Sequence, residues 1–188
     1  MKTATRLKTD RLTRADWLQG ALDYLRQTGG SELRITRVAE FLGVTKGSFY
    51  HHFTDREELI DAVLLHWNEI HNLSVKEAID GSTGGPRDKL RTIMQQVTEQ
   101  QLTHYDLPLR AWAMDNPKVR LFMERSDRWR LDLVRTLFEA LGFSGRDLEV
   151  RTQTFVTLVS LEAAMYARPS KMEMLAQIDA RLDLLTRP

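Results

Sequence analysis

Apolar residues recur at steps of three and four along almost the whole of this chain, and no stretch alternates with period two long enough to make a strand. That pattern commits the backbone to helices that each bury one stripe. Thr13 followed by Asp16 has capping-box spacing, and Trp17, Leu18, Ala21, Leu22 and Leu25 then share a face until Gly29-Gly30. Thr36 is placed to cap a short helix, RVAEFL, ending at Gly43, and Thr45 to cap a second one through Phe53. Asp55 with Glu58 is another box, opening a long helix to about Asp80 with Leu59, Val63, Trp67 and Ile70 on one side. GSTGGP, residues 81–86, is the one clear linker. Beyond it helices are predicted over roughly 87–105, near 109–115 and from Pro117 to Leu141. Ser144 with Asp147, and Ser170 with Glu173, open the last two. The expected fold is all-α, with about nine helices.

Composition narrows what such a fold does. The 188 residues include no cysteine, which removes disulfides, thiolate zinc sites and cysteine nucleophiles and suits a cytoplasmic protein. No apolar run approaches a membrane span, and MKTATRLKTDRLTRAD lacks the apolar middle of a signal peptide. The net charge of +1 hides an uneven distribution: through Phe53 there are nine Lys/Arg against five Asp/Glu, so the remainder is acidic. A basic end points to a polyanionic partner, or, over the first dozen residues, to a solvated tail.

The stretch VTKGSFYHHF, Val44 to Phe53, concentrates glycine, hydroxyls, aromatics and histidines. Two short helices around Gly43 form a helix-turn-helix. Phe49 and Phe53, four apart, dock on Val38, Ala39 and Leu42, which turns Lys46, Gly47, Ser48, Tyr50, His51 and His52 partly or wholly outward. Thr45 and Ser48 offer hydroxyls at a helix start, Lys46 a charge, and Gly47 room for close approach; such a surface fits a DNA major groove. Each residue also has a plainer reading: Thr45 as a cap, Tyr50 as half-buried core, the histidines as idle surface.

TRVAEFLGVTKGSFYHHFTDREELIDAVL also resembles the DNA-binding domain of the tetracycline-repressor (TetR) family of transcription regulators, over about residues 11–65. Val44 through Phe53 follow the family's pattern, with Phe49 where Leu or Ile is commoner, and Arg56 and Leu59 stand at the expected positions of the next helix. The resemblance implies that Thr36, Thr45, Lys46, Ser48, Tyr50, His51 and Arg56 contact an operator, mostly through phosphates. It also implies a helical effector-binding second half, a homodimer formed by the last two helices, and a repressor released from a palindromic operator by a small molecule. The corresponding division is a basic arm (1–12), a helix-turn-helix domain (13–60, motif about 36–53), a connecting helix (61–80), the linker (81–86) and a ligand-binding and dimerisation domain (87–188).

The second half supports a dimer independently. In FVTLVSLEAAMYA, Phe155 to Ala167, ten of thirteen residues are apolar, which calls for burial on two sides. The last helix adds Leu175, Ile178, Leu182 and Leu185, so helices of about 147–168 and 171–186 are the expected interface, unless the first is simply a central core helix. Tyr105, Trp112, Phe122, Met123, Trp129, Phe155 and Met165 are candidates to line an effector pocket, and equally ordinary core. Arg120, Arg125 or Arg128 could meet an anion, or lie on a solvated face. Enzyme signatures are missing: GSTGGP lacks the Lys-Ser/Thr of a phosphate loop, and there is no HExxH or GxSxG. His66 and His71, five apart, should turn to different sides of a helix, and adjacent His51 and His52 cannot share a metal. No catalytic residue, metal or cofactor is expected. The alternatives are a DNA-binding module without small-molecule control, or a helical enzyme or carrier with a vestigial headpiece.

Overall fold

The structure, a computed structural model, describes residues 12–30 and 32–187. The basic segment 1–11, nearly all of the expected arm, lies outside the described residues. Among these the fold is all-α, with eleven α-helices and no strand. They are α1 (Arg14–Thr28), α2 (Ile35–Phe41), α3 (Lys46–Phe49), α4 (Arg56–Asn68), α5 (Ser74–Asp80), α6 (Pro86–Glu99), α7 (Asp106–Asp115), α8 (Pro117–Ala140), α9 (Gly145–Leu161), α10 (Lys171–Ala176) and α11 (Ile178–Thr186). The two helices beyond the expected nine arise where single predicted helices break. A five-residue π turn, Glu69–Leu73, separates α4 from α5, and Gln177 separates α10 from α11.

The caps show how far local chemistry reaches. Thr13 and Asp16 close a complete box: Asp16 N donates to Thr13 Oγ1 at 3.2 Å, and Thr13 N donates to the Asp16 carboxylate at 2.7 Å. Ser170 and Glu173 do the same. Asp55 accepts from Glu58 N, but the Glu58 carboxylate takes the amide and hydroxyl of Thr54 instead. Two expectations fail. Thr36 is not a cap, because the Arg34 carbonyl already accepts from Arg37 and Val38, so α2 starts one residue before Thr36. Ser144 sits at a cap without a side-chain bond, and the Asp147 carboxylate, which a box would turn back to the Ser144 amide, accepts from Arg151 at 2.8 Å.

Two apolar clusters divide the molecule. The first joins α1–α4 to α7 and the start of α8, with Trp17, Leu22, Phe49, Trp67, Leu109, Trp112 and Val119. The second takes α5, α6, the rest of α8, α9 and α11, with Leu90, Phe138, Phe155 and Leu182. Ile70, inside the π turn, packs on both. The glycine-rich segment therefore closes a hairpin within the second cluster, where Val75 and Ile79 of α5 join Leu90 and Ile93 of α6. The stripe Leu175, Ile178, Leu182 and Leu185 faces its own chain rather than a partner, since it completes this same cluster. Likewise the helix predicted through Ala167 ends at Leu161 in a 3-10 turn, where Glu162 pairs with Arg181 of α11 at 2.6 and 2.8 Å.

Candidate nucleic-acid interface and interior cavity

The helix-turn-helix is held from behind by aromatic packing. Phe49 is fully buried, edge-on to Trp17 at 5.6 Å and stacked on Phe53 at 5.3 Å. Gly43 makes the turn at φ +69, a conformation that disfavours any other residue. Gly20 lets α1 press against that turn, since a Cβ there would stand 2.3 Å from Leu42 Cδ2. The motif is thus a rigid unit with one outward side.

On that side Thr45, Lys46, Gly47, Tyr50 and His51 are exposed, and Ser48 and His52 are half-buried. Tyr50 is 54% exposed, so it is not core, and Lys46 Nζ lies 5.9 Å above its ring. Thr45 occupies the N-cap position of α3 without a side-chain cap bond. The regular helix is shorter than predicted. It is one turn, after which His51 and His52 bond carbonyls three residues back while Phe53 reaches Phe49. Thr36 is exposed on α2. Arg56 is differently employed: its Nε donates to the Leu33 carbonyl at 2.6 Å and its Nη2 meets Glu32 at 2.9 Å. It fastens the segment before α2 to the start of α4, so it positions the motif rather than offering an open cation.

Of the pocket candidates, only Trp129 and Phe155 line the interior cavity of about 50 Å³ between α5, α6, α8 and α9. Trp112 and Met123 are buried in the first cluster, Phe122 packs against it, and Met165 is 60% exposed. Residue type alone could not separate these positions, because core and cavity wall use the same side chains. Tyr105 instead ties α1 to the body: it donates to Asp23 at 2.8 Å and accepts from Gln19 at 2.9 Å. Arg120 bonds the Ala113 carbonyl, Arg128 pairs with Glu124, and Arg125 is exposed.

The polar end of the cavity contains residues the sequence did not flag. Arg130 Nη1 pairs with Asp106 at 2.7 Å, and Asp106 is only 1% exposed. Arg130 Nε donates to Asn72 Oδ1 at 2.9 Å, and Asn72 Nδ2 donates to Ser126 and Asn68, each at 2.8 Å. Ser160 Oγ lies 3.4 Å from Arg130 Nη1, and the guanidinium stands 5.2 Å over the Trp67 ring. His71 lies on the π turn, stacked on Trp67 at 5.0 Å. Burial, then the charge of Arg130, then His66, push its pKa down to about 3. An outer recess of about 320 Å³ shares Val97, Thr103 and Val159 with the cavity. Among the described residues no helix is long and apolar enough to cross a membrane, and no group of acidic and histidine side chains is arranged to hold a metal.

This architecture has counterparts among known proteins. The family model described as bacterial regulatory proteins, tetR family, matches residues 18–63. The HTH-type transcriptional regulator TtgR of Pseudomonas putida is 28% identical over 85 residues. That match spans 45% of this chain and 40% of the length of TtgR. Among solved structures, a Rhodococcus sp. protein assigned to the TetR-family transcriptional regulators superposes with a TM-score of 0.73 at 23% identity, covering 93% of this chain and 98% of that one. AibR, crystallised in complex with isovaleryl coenzyme A and operator DNA, superposes with a TM-score of 0.72 at 18% identity, with the same coverage. At these identities the two structures carry the fold, over nearly the whole chain.

Proposed function

Through residues 18–63 this chain belongs to the tetR family of bacterial regulatory proteins, and from that premise we propose that it is a homodimeric, operator-binding repressor controlled by a small molecule. The observation that carries the reading is the outward side of the helix-turn-helix: Thr45, Lys46, Gly47, Tyr50 and His51 project from a motif whose other side is locked by Phe49 and Phe53. Lys46 supplies charge for phosphate, Tyr50 a rigid phenol, and Gly47 lets the backbone approach. Thr36 on α2 is open to the same duplex.

A single one-turn helix makes too few contacts for useful specificity, so a pair is required, spaced to match successive turns of DNA. Exposed apolar residues of the last helices, Val150, Leu161, Met172 and Leu184, support a self-complementary interface there. The residues involved are the outward ones, not the stripe first read from the sequence. For control by an effector, AibR offers a neighbour of the same fold that binds both a small molecule and operator DNA. The body carries a cavity whose wall includes the π turn leading into α4 and so to the headpiece. A coupling of about 1–3 kcal/mol between the two sites is enough to change operator affinity about 5–150-fold.

Selection of bound fragments from random DNA tests the reading, and palindromic sites are expected. Tyr50→Ala and Lys46→Ala should each weaken retention of the selected site about tenfold with an unchanged melting temperature, and wild-type affinity should fall steeply with salt. Absence of any selected sequence, or a salt-independent affinity, would end it. The small volume of the cavity favours one second reading, a DNA-binding module without small-molecule control. Failure of every compound in a thermal-shift screen, with intact DNA binding, would select that reading.

A further inference from the structure

We propose that the interior cavity is a site for an uncharged small molecule with an apolar body and one hydrogen-bonding head, and that His71 reads that head. The inference rests on the regulatory reading above and adds to it the chemical class of the effector.

His71 is 3% exposed and lines the cavity, and neither Nδ1 nor Nε2 has a hydrogen-bond partner. Its neighbours are rings: Trp67 stacks on it, and Tyr105 meets it edge-on at 5.7 Å. A neutral imidazole carries one donor and one acceptor, and leaving both unpaired in the interior is costly. A ligand bearing an amide, a hydroxyl or a carbonyl satisfies at least one of them. The depressed pKa means that the ring is neutral at ordinary pH, so it offers no charge to an anion.

The cation whose charge reaches the ring already holds a carboxylate. Arg130 of α8 is matched by Asp106 of α7, and its other contacts are Asn72 and Ser160. His66 of α4 is the other titratable group acting on the ring, and it too disfavours a proton there. An anion brought into this site would lose its hydration and would have to compete with Asp106 for the Arg130 guanidinium. The rest of the wall is apolar: Val75, Ile93, Leu133, Val134, Phe155 and Val159 among others.

Size gives the site a mechanical consequence. At about 50 Å³ the cavity is well below the roughly 150 Å³ that admits benzene. A ligand must therefore move the walls or extend into the outer recess through Val97, Thr103 and Val159. His71 and Asn72 belong to the π turn between α4 and α5, so that movement acts directly on the element joining body to headpiece.

Three probes of one shape test the assignment: benzamide (uncharged head), toluene (no head) and benzoate (charged head). Each is titrated into the full chain while the ring nitrogens of His71 are followed by NMR. Benzamide should shift those nitrogens and bind about tenfold more weakly to His71→Phe, toluene should bind both proteins alike, and benzoate should bind more weakly than benzamide. His71→Gln, which keeps a donor and an acceptor, should retain benzamide affinity within a few-fold, and melting curves check that each variant folds. Equal benzamide affinity in wild type and His71→Phe, tightest binding by benzoate, or no binding by any probe would overturn the proposal. Operator retention is measured on the same samples. If it is intact while no probe reaches His71, the site fails and the regulatory reading stands; if it is absent while benzamide engages His71, the reverse holds.

Discussion

Replacing Asp106 by Asn probes the buried charge pair that closes the cavity. Asparagine keeps the shape and one acceptor, but it leaves the Arg130 guanidinium charged beneath the surface with only Asn72, Ser160 and the Trp67 face around it. The Arg130 side chain is 15% exposed and Asp106 almost not at all, so solvent offers little replacement. Removing one partner of such a pair costs about 3–5 kcal/mol, a large share of the roughly 5–15 kcal/mol that holds a domain together. With a urea dependence of about 2 kcal/mol per molar, the unfolding midpoint should drop by about 1.5–2.5 M. The assay is urea denaturation at one fixed protein concentration, because the midpoint of a homodimer of the kind proposed depends on concentration. A second variant, Asp106→Asn with Arg130→Met, removes the stranded charge and should recover most of the loss. A midpoint shift under about 0.5 M in the single variant, or a double variant no better than the single, would refute the idea that an uncompensated charge is the cause.

Gly30→Ala should destabilise strongly or displace the headpiece, because φ is +85 there and the new Cβ would fall 2.1 Å from the Pro108 carbonyl oxygen of α7. Gly29→Ala, also at positive φ but with nothing within 4 Å, should cost only about 1–2 kcal/mol, so equal melting of the two variants would count against the docking contact. His71 binds its proton near pH 3 in the folded chain and near its ordinary 6.5 when unfolded, so unfolding is favoured increasingly as pH falls between those values. The slope is about 1.4 kcal/mol per pH unit, absent above about pH 6.5, and His71→Phe should lack it; parallel stability profiles of the two proteins would refute this. Leu161→Glu with Leu184→Glu should yield monomers in sedimentation without lowering the monomer's helical content, and an unchanged dimer would place the interface elsewhere.

The headpiece was legible because its information is local. Trp17, Leu22, Phe49 and Phe53 are spaced by helical periodicity, Gly29 and Gly43 punctuate them, and Thr13 with Asp16 bond across a single turn. Even there, competition between neighbours decided details: Arg34 displaced Thr36 as the start of α2, and Asp147 preferred Arg151 to completing a box with Ser144. In the body the same kinds of residue were visible without their destinations. Trp112 and Trp129 read alike, yet one fills the first cluster and the other lines the cavity.

By itself, then, the sequence determined an all-helical chain, the helix-turn-helix and the outward set on it, since each depends on residues no more than a turn or two apart. Only the tertiary structure decided where the apolar clusters meet, that Arg56 is tied to Glu32 and Leu33, and that Asn72, Asp106, Arg130 and Ser160 converge on one wall beside His71. Those pairings join segments distant in the chain. A helical period states which side of a helix is buried, but carries no information about what it is buried against.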